Sequence, residues 1–353
     1  MITERFHKVE IIPRCLTFKR PAGTSRGVYT TRRSWEVRVR AAGGPPAPGI
    51  GECAPLPDLS RDYGADYETA LSRACLDLQR KGYVDTESLR RYPSILFGLE
   101  TAARHCERRG WRHYDTPFSR GQAGIPINGL IWMGDYAYML RQVEEKLREG
   151  FRCVKLKIGA IDFERELSLL RHIRAHFSAR EITLRVDANG AFTPSEAMEK
   201  LERLAEMDLH SIEQPIRAGQ WDEMARLAAT SPLPIALDEE LIGSDTPDEK
   251  RRLLQTIHPQ YLVLKPSLHG GIAGCTEWIR LAETLLGSSP EQPRWWITSA
   301  LESQIGLNAI AQWCATLGNP LPQGLGTGEI FRDDRHRLIR REGDTIWFTD
   351  NEP

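Results

Sequence analysis

The sequence predicts an α/β fold in which an N-terminal α+β unit precedes a (β/α)8-type barrel, and three observations carry that expectation. Residues 5–40 alternate apolar with polar side chains, and helical periodicity follows over about residues 66–110. From Ile125 onward, short apolar strands alternate with helical segments. Charged residues close those strands: Lys157, Asp187, Glu213, Asp238 and Lys265 follow one another at intervals of 25 to 30 residues, the length of one strand-plus-helix unit.

HKVEII and SWEVRVR have the period of strands, and residues 20–31 between them, with Pro, Gly and Ser, read as a loop. The Gly/Pro-rich residues 41–48 suit a hairpin connection, and GECAPLPDLS a further loop. YETALSRACLDLQRKG and LFGLETAARHCERRG are amphipathic helices, the second closed by Gly110.

The barrel strands are IPINGLI, CVKLKIG, ITLRVDANG, LHSIEQP, PIALDEE, YLVLKPS and RWWITSALES, with a last turn near LPQGLGTG. Between them lie helical segments such as FERELSLLRHIRAHF, PSEAMEKLERLAEM and QIGLNAIAQWCATLG. An open doubly wound sheet is the competing arrangement, but no GxGxxG follows the first strand. The expected division is 1–120 for the α+β unit, completed by 329–353, and 121–328 for the barrel.

Bulk composition narrows the function. A chain of 353 residues, 41% hydrophobic and 27% charged, has the ordinary globular mix. Its 47 Lys+Arg against 48 Asp+Glu leave a net charge of −1, which offers no electrostatic case for nucleic acid or an anionic membrane as partner. No apolar run is long enough for a membrane helix, and the N-terminus lacks a signal-like apolar centre. Seven widely spaced cysteines without a CxxC pair argue against disulfides or a zinc-thiolate site, so a cytoplasmic location is expected.

The strand-end charges carry the functional expectation. Residues two apart on a strand share a face, so Lys155 points with Lys157, and Arg185 with Asp187. Each group lies at the C-terminal mouth of a barrel strand, where barrel enzymes carry catalysis. A single strand-end Asp is ordinarily a loop cap, but charge at matching depth on five successive strands is not what packing selects. Asp187, Glu213 and Asp238 offer oxygen ligands, which suit Mg²⁺, or Mn²⁺ in its place. A nearby cation and Lys155 would both disfavour the Lys157 ammonium and free its amine as a base. Lys265 comes from the opposite side. The set fits removal of a weakly acidic proton next to a carboxylate, with the metal stabilising the enolate.

KLK at 155–157, DANGAF at 187–192, EQP at 213–215, LDE at 237–239 and LKPS at 264–267 resemble, in order and spacing, the muconate-lactonizing-like branch of the enolase superfamily. The resemblance spans essentially the whole chain. It implies a modified (β/α)7β TIM-type barrel with an α+β capping domain, and a lysine base working with Mg²⁺, a known feature of that superfamily. GECAPLP at 51–57, ITSALESQIGLNAIAQ at 297–312 and PQGLGTG at 322–328 are similar to the branch's dehydratases of menaquinone biosynthesis. Their reaction is syn elimination of water from 2-succinyl-6-hydroxy-2,4-cyclohexadiene-1-carboxylate, giving 2-succinylbenzoate. The resemblance implies that Lys157 takes the α-proton and passes it to the leaving hydroxyl. It also implies that Lys265 stabilises the enediolate and that Asp187, Glu213 and Asp238 bind the metal.

Three other functions compete. An N-acylamino-acid racemase would use the same two lysines as opposed bases. A dipeptide epimerase would carry Asp-x-Asp where this chain has Thr298, Ser299 and Ala300. A non-catalytic binding protein would have no need of the intact lysines and carboxylates.

The remaining candidates each have a structural and a functional reading. Lys155 either balances acidic neighbours or acts on the substrate. Asn189 either caps its turn or supports the ligands. The resemblance puts the 298–300 segment on the succinyl carboxylate, whereas Ser299 and Ser303 also suit a strand end and an N-cap. Gly326, within GLGTG, serves a tight turn or offers backbone N–H groups to a carboxylate. Glu239 and Glu240 read as solvated loop acids, with a supporting place behind the metal as the alternative. His269 reads as a surface residue, and the tryptophans as packing residues. Residues 24–27 are either a lid or a plain loop. The expected partner is a small carboxylate substrate, and the sequence is compatible with a homo-oligomer.

Overall fold

A computed structural model describes residues 6–24, 27–41 and 47–351. The centres of the expected 41–48 connection and of the 24–27 segment lie outside these described residues.

Strands β1 (Phe6–Thr24), β2 (Gly27–Ala41) and β3 (Gly49–Cys53) form an antiparallel sheet in that order. Residues 20–31, expected as a loop, are mostly strand, since Ala22 pairs with Tyr29 and Thr24 with Gly27. The composition misleads here for a physical reason. β1 is the edge of the sheet, where Pro13 and Pro21 break no internal ladder, and a register shift between Thr17 and Ala22 absorbs the extra residues. Helices α1 (Tyr67–Lys81) and α2 (Pro93–Arg108) cover one face, burying Leu71, Leu78, Leu96 and Leu99 against Trp35, Val37 and Val39. β3 lies so close to α2 that a Cβ on Gly51 would collide with the Gly98 carbonyl.

The next segment, IPINGLI, is not one strand but two. β4 (Ile125–Pro126) pairs antiparallel with the C-terminal β13 (Thr345–Asn351), which in turn pairs with β12 (Arg337–Glu342). β5 (Gly129–Ile131) instead opens a parallel seven-stranded sheet, which continues through β6 (Cys153–Lys157), β7 (Thr183–Asp187), β8 (Ser211–Glu213), β9 (Ile235–Leu237), β10 (Tyr261–Leu264) and β11 (Trp295–Ile297). Each of these strands is followed by a helix: α3 (Tyr136–Arg148), α4 (Phe163–His176), α5 (Pro194–Ala205), α6 (Trp221–Thr230), α7 (Pro247–Ile257), α8 (Gly271–Leu285) and α9 (Gln304–Cys314). Capping boxes start α5 at Thr193/Glu196 and α7 at Thr246/Glu249, each with a proline in the first turn.

The eighth strand position, expected near LPQGLGTG, is reduced to two bridging residues. Gln323 bridges Ile127 and Gly324 bridges Thr298, both parallel, so this short seam joins the first and last strands of the sheet. Seven strand–helix units closed by a helix-free eighth strand make a (β/α)7β barrel. Leucines, isoleucines and valines fill the shell between strands and helices. A separate cluster of Ala236, Val263 and Trp296, with Tyr261 and Leu321 packed against it, faces the barrel axis. Downstream of the seam, Phe331 bridges Phe18, and residues 330 and 332 exchange backbone bonds with Lys19 and Thr17 of β1. No helix among the described residues is long and apolar enough to cross a membrane.

Candidate active site

Strand alternation and register bring the charges together. Lys157 pairs in register with Asp187, and Asp187 with Glu213, so three neighbouring strands present charge at one depth. Asp238 follows β9 and Lys265 follows β10. Asp187, Glu213 and Asp238 are each at most 2% exposed.

The lysines hold the carboxylates. Lys155 Nζ lies 2.5 Å from Glu213 Oε2 and 3.0 Å from Asp187 Oδ2. Lys157 Nζ lies 3.1 Å from the same Asp187 oxygen and donates to Asn189 Oδ1 at 2.7 Å. Lys265 Nζ is paired with Asp238 Oδ2. Asn189 Nδ2 donates to Glu239 Oε1 at 2.9 Å, and the Asn189 backbone N–H donates to Asp187 Oδ1 at 3.1 Å. Asn189 sits at φ 45°, the left-handed region that Asn tolerates, and this turn lets one amide side chain link Lys157 to Glu239.

Charge balance explains the electrostatics. Three ammonium groups (Lys155, Lys157, Lys265) face four carboxylates (Asp187, Glu213, Asp238, Glu239), which leaves one negative charge in excess. Burial works against ionisation of Asp187, but Lys155 and Lys157 outweigh it and hold the carboxyl below its usual range. Burial, then the negative charge of Asp187, pushes Glu213 up to about 8. Burial, then Asp238, pushes Glu239 up to about 7. Burial also opposes the Lys155 and Lys265 ammonium groups, yet the carboxylates around them raise both.

Two expectations are corrected here. Glu239 and Glu240 are not solvated acids: both are buried, and Glu240 Oε1 accepts the Gly219 N–H at 2.7 Å. A short 3₁₀ turn at Glu239–Leu241 folds them inward. His269 is not at the surface either. Its Nδ1 accepts the Lys265 N–H at 3.0 Å, its Nε2 lies 3.9 Å from Asp238 Oδ1, and burial drives its pKa down to about 3, so the ring is neutral. Its Gly-rich context masked the turn that carries it under Lys265.

The donor set fits a divalent cation. Glu213 Oε1, Asp238 Oδ1 and Glu239 Oε2 are buried without a hydrogen-bond partner, a costly arrangement that added positive charge relieves. All donors are oxygens, as hard cations require. Among the described residues, no three His, Cys, Asp or Glu side chains already converge as a metal cluster, and lysines pair with the other oxygens of Asp187, Glu213 and Asp238.

A cavity of about 220 Å³ opens above these groups. Lys155, Lys157, Asp187, Asn189 and Lys265 line it, as do Thr298, Ser299, Ala300 and Gly326. The Thr298 hydroxyl donates to Gly324 O at 2.9 Å, and the Ser299 and Thr327 hydroxyls are 2.6 Å apart. Ser303 caps α9 and also donates to Glu52 Oε2 at 2.7 Å. Sequence reasoning missed the apolar wall of Tyr29, Leu56, Leu59, Trp132 and Leu301. For Trp132 a signal existed, since it shares strand parity with Leu130. Leu56 lies in GECAPLP, which served only as a mark of the family, whereas Tyr29 and Leu59 carried no signal.

The chain belongs to the Enolase C-terminal domain-like family, whose pattern matches residues 138–341, and so to the enolase superfamily. This superfamily works with a divalent metal ion. Within it, the o-succinylbenzoate synthase of Desulfotalea psychrophila is 44% identical over 354 aligned positions, covering 90% of this chain and 93% of the relative. The crystal structure of MenC from Desulfotalea psychrophila LSv54 superposes with a TM-score of 0.80 at 38% identity, covering 96% of this chain and 99% of that one. A dipeptide epimerase from Cytophaga hutchinsonii shares the fold, with a TM-score of 0.79 at 22% identity over 97% of this chain and 93% of that one.

Proposed function

We propose that this enzyme is a dehydratase of the o-succinylbenzoate synthase type. It converts 2-succinyl-6-hydroxy-2,4-cyclohexadiene-1-carboxylate to 2-succinylbenzoate by syn elimination of water, in menaquinone biosynthesis. The observation that carries the reaction class is the pair Lys157 and Lys265, from β6 and the end of β10, lining one cavity with buried carboxylates between them. Similarity to the Desulfotalea enzyme supports the choice of substrate.

In this reading the unprotonated Lys157 amine takes the proton from the carbon bearing the carboxylate. The electron pair left behind delocalises into that carboxylate and then expels the hydroxyl from the neighbouring carbon. Lys157 returns its proton to the departing hydroxyl, so water leaves and the ring becomes aromatic. One group serving both steps from one face gives the syn course. Lys265, held by Asp238, presents positive charge to the enediolate from the other side. Asn189 orients the Lys157 amine. Asp187, Glu213 and Asp238 would hold a divalent cation, Mg²⁺ with Mn²⁺ as its substitute, whose charge offsets that developing on the substrate carboxylate.

Thr298, Ser299 and Ala300 contact the succinyl end of the substrate, and Gly326 lies in the turn whose backbone N–H groups meet a substrate carboxylate. Residues 1–120, joined at β1 by residues 330–333, form the unit that covers the substrate, and 121–328 the unit that reacts with it; the β12–β13 hairpin pairs instead with β4 at the other end of the barrel. The free cysteines suit a reducing cytoplasm.

One observation favours a second reading, racemisation of N-acylamino acids. The N-succinylamino acid racemase of Thermus thermophilus is 35% identical over 133 residues, 37% of this chain. A spectrophotometric dehydration assay beside an N-succinylamino-acid racemisation assay tests both. Dehydration as the faster activity supports the first reading, and racemisation without dehydration overturns it.

A further inference from the structure

The geometry points to Arg32 as a positioning residue that sets the substrate-facing wall of the cavity, by tying the N-terminal unit to the segment leaving the last barrel strand. The inference rests on the dehydratase reading and concerns how its substrate is held.

Arg32 lies on β2, 2% exposed, and its direct partners are backbone carbonyls from two parts of the fold. Its guanidinium donates to Ala54 O and Pro55 O of the N-terminal unit. It also donates from Nε to Leu301 O at 3.2 Å and from Nη2 to Ala300 O at 3.4 Å, both beyond β11. Both segments run straight into the cavity wall. Ala54 and Pro55 lead to Leu56 and Leu59, and Ala300 and Leu301 themselves line the space. Tyr29, on the same strand as Arg32, donates to Pro57 O at 3.1 Å and lines it too.

Two further observations agree. Leu301 sits at φ 63°, a conformation that branched side chains avoid, and the carbonyl of this strained residue is the one Arg32 Nε holds. The carboxylates that balance Arg32, Glu302 and Glu52, brace the same segment. Glu302 Oε2 accepts the Ala300 N–H at 2.7 Å, and Glu52 Oε2 accepts the Ser303 N–H at 2.9 Å. Mere adhesion between two units is served better by apolar side chains than by a buried cation. A planar fork with five donors is suited to fixing where several carbonyls stand. None of the Arg32 bonds reaches Lys157, Lys265 or the carboxylates, so its influence falls on substrate fit rather than on proton transfer.

The test compares wild type with Arg32→Met and Arg32→Lys. Steady-state dehydration, binding of 2-succinylbenzoate, Mg²⁺ affinity and thermal midpoint are measured for each. Arg32→Met should raise KM and the product Kd by about tenfold or more, with kcat within about threefold and Mg²⁺ affinity unchanged. Arg32→Lys, keeping the charge without the fork, should recover part of the loss. If Arg32→Met does not fold, Arg32→Lys decides: a raised KM with kcat within about threefold supports the role and a wild-type KM overturns it. A folded Arg32→Met enzyme with wild-type KM, or with kcat alone reduced, also overturns it. Wild-type enzyme without dehydration overturns the proposed function instead, and the positioning role with it.

Discussion

Asn189 Oδ1 accepts the Lys157 ammonium at 2.7 Å, so the proposed base is held by a neutral side chain as well as by Asp187. A neutral acceptor orients an amine without adding charge that would tie it to its proton. Asn189→Ala should therefore lower kcat by about tenfold to a hundredfold while leaving substrate affinity near wild type, as steady-state kinetics will show.

Lys157 and Lys265 should be far less replaceable. Either lysine changed to Ala should lower kcat about a hundredfold to ten-thousandfold, with the far-ultraviolet circular dichroism of wild type. A largely active, folded Lys157→Ala enzyme would sink the mechanism.

The unpartnered oxygens of Glu213, Asp238 and Glu239 make a prediction about metal. EDTA should abolish turnover, and Mg²⁺ or Mn²⁺ should restore it. Added Mg²⁺ should also raise the thermal midpoint of wild type but not of Asp238→Asn, a readout independent of activity. Metal-independent turnover would exclude the carboxylate assignment.

Glu100 provides a pH test away from the site. This half-buried α2 carboxylate packs against the start of α8, where it accepts the Ile272 N–H at 2.6 Å and the Ala273 N–H at 3.0 Å. Burial outweighs those bonds and pushes it up to about 7 from an ordinary 4.5. The folded state thus binds a proton that the unfolded chain has released, so this group's contribution to stability falls as pH rises from about 4.5 to 7. Glu100→Gln lacks the titration. Denaturant melts across that window should show the variant gaining on wild type as pH rises, and a constant difference would refute the assignment.

Much of this was legible in the sequence because chemistry and architecture share a period. Lys157, Asp187, Glu213, Asp238 and Lys265 mark strand ends whether or not they react, so reading the charges was also reading the barrel. Helical periodicity over 163–177, 194–207 and 304–318 marked α4, α5 and α9 locally. What escaped depends on partners far along the chain. IPINGLI looks continuous, but Ile125 pairs with Ile346 while Leu130 pairs with Lys155. His269 and Glu239 look exposed because loop composition carries no record of what folds over it. Tyr29 reaches the cavity through the tertiary packing of a hairpin that local propensity reads as a loop.

The seam at Gln323 and Gly324 has a consequence for the order of events during synthesis. Ile127 is made 196 residues before its barrel neighbour Gln323, and β4 must wait longer still for β13. Throughout that interval the nascent chain holds an open parallel sheet with two unpaired edges and a half-built cavity. Such edges recruit other strands, so the vulnerable species of this protein is the chain whose seam has not yet closed.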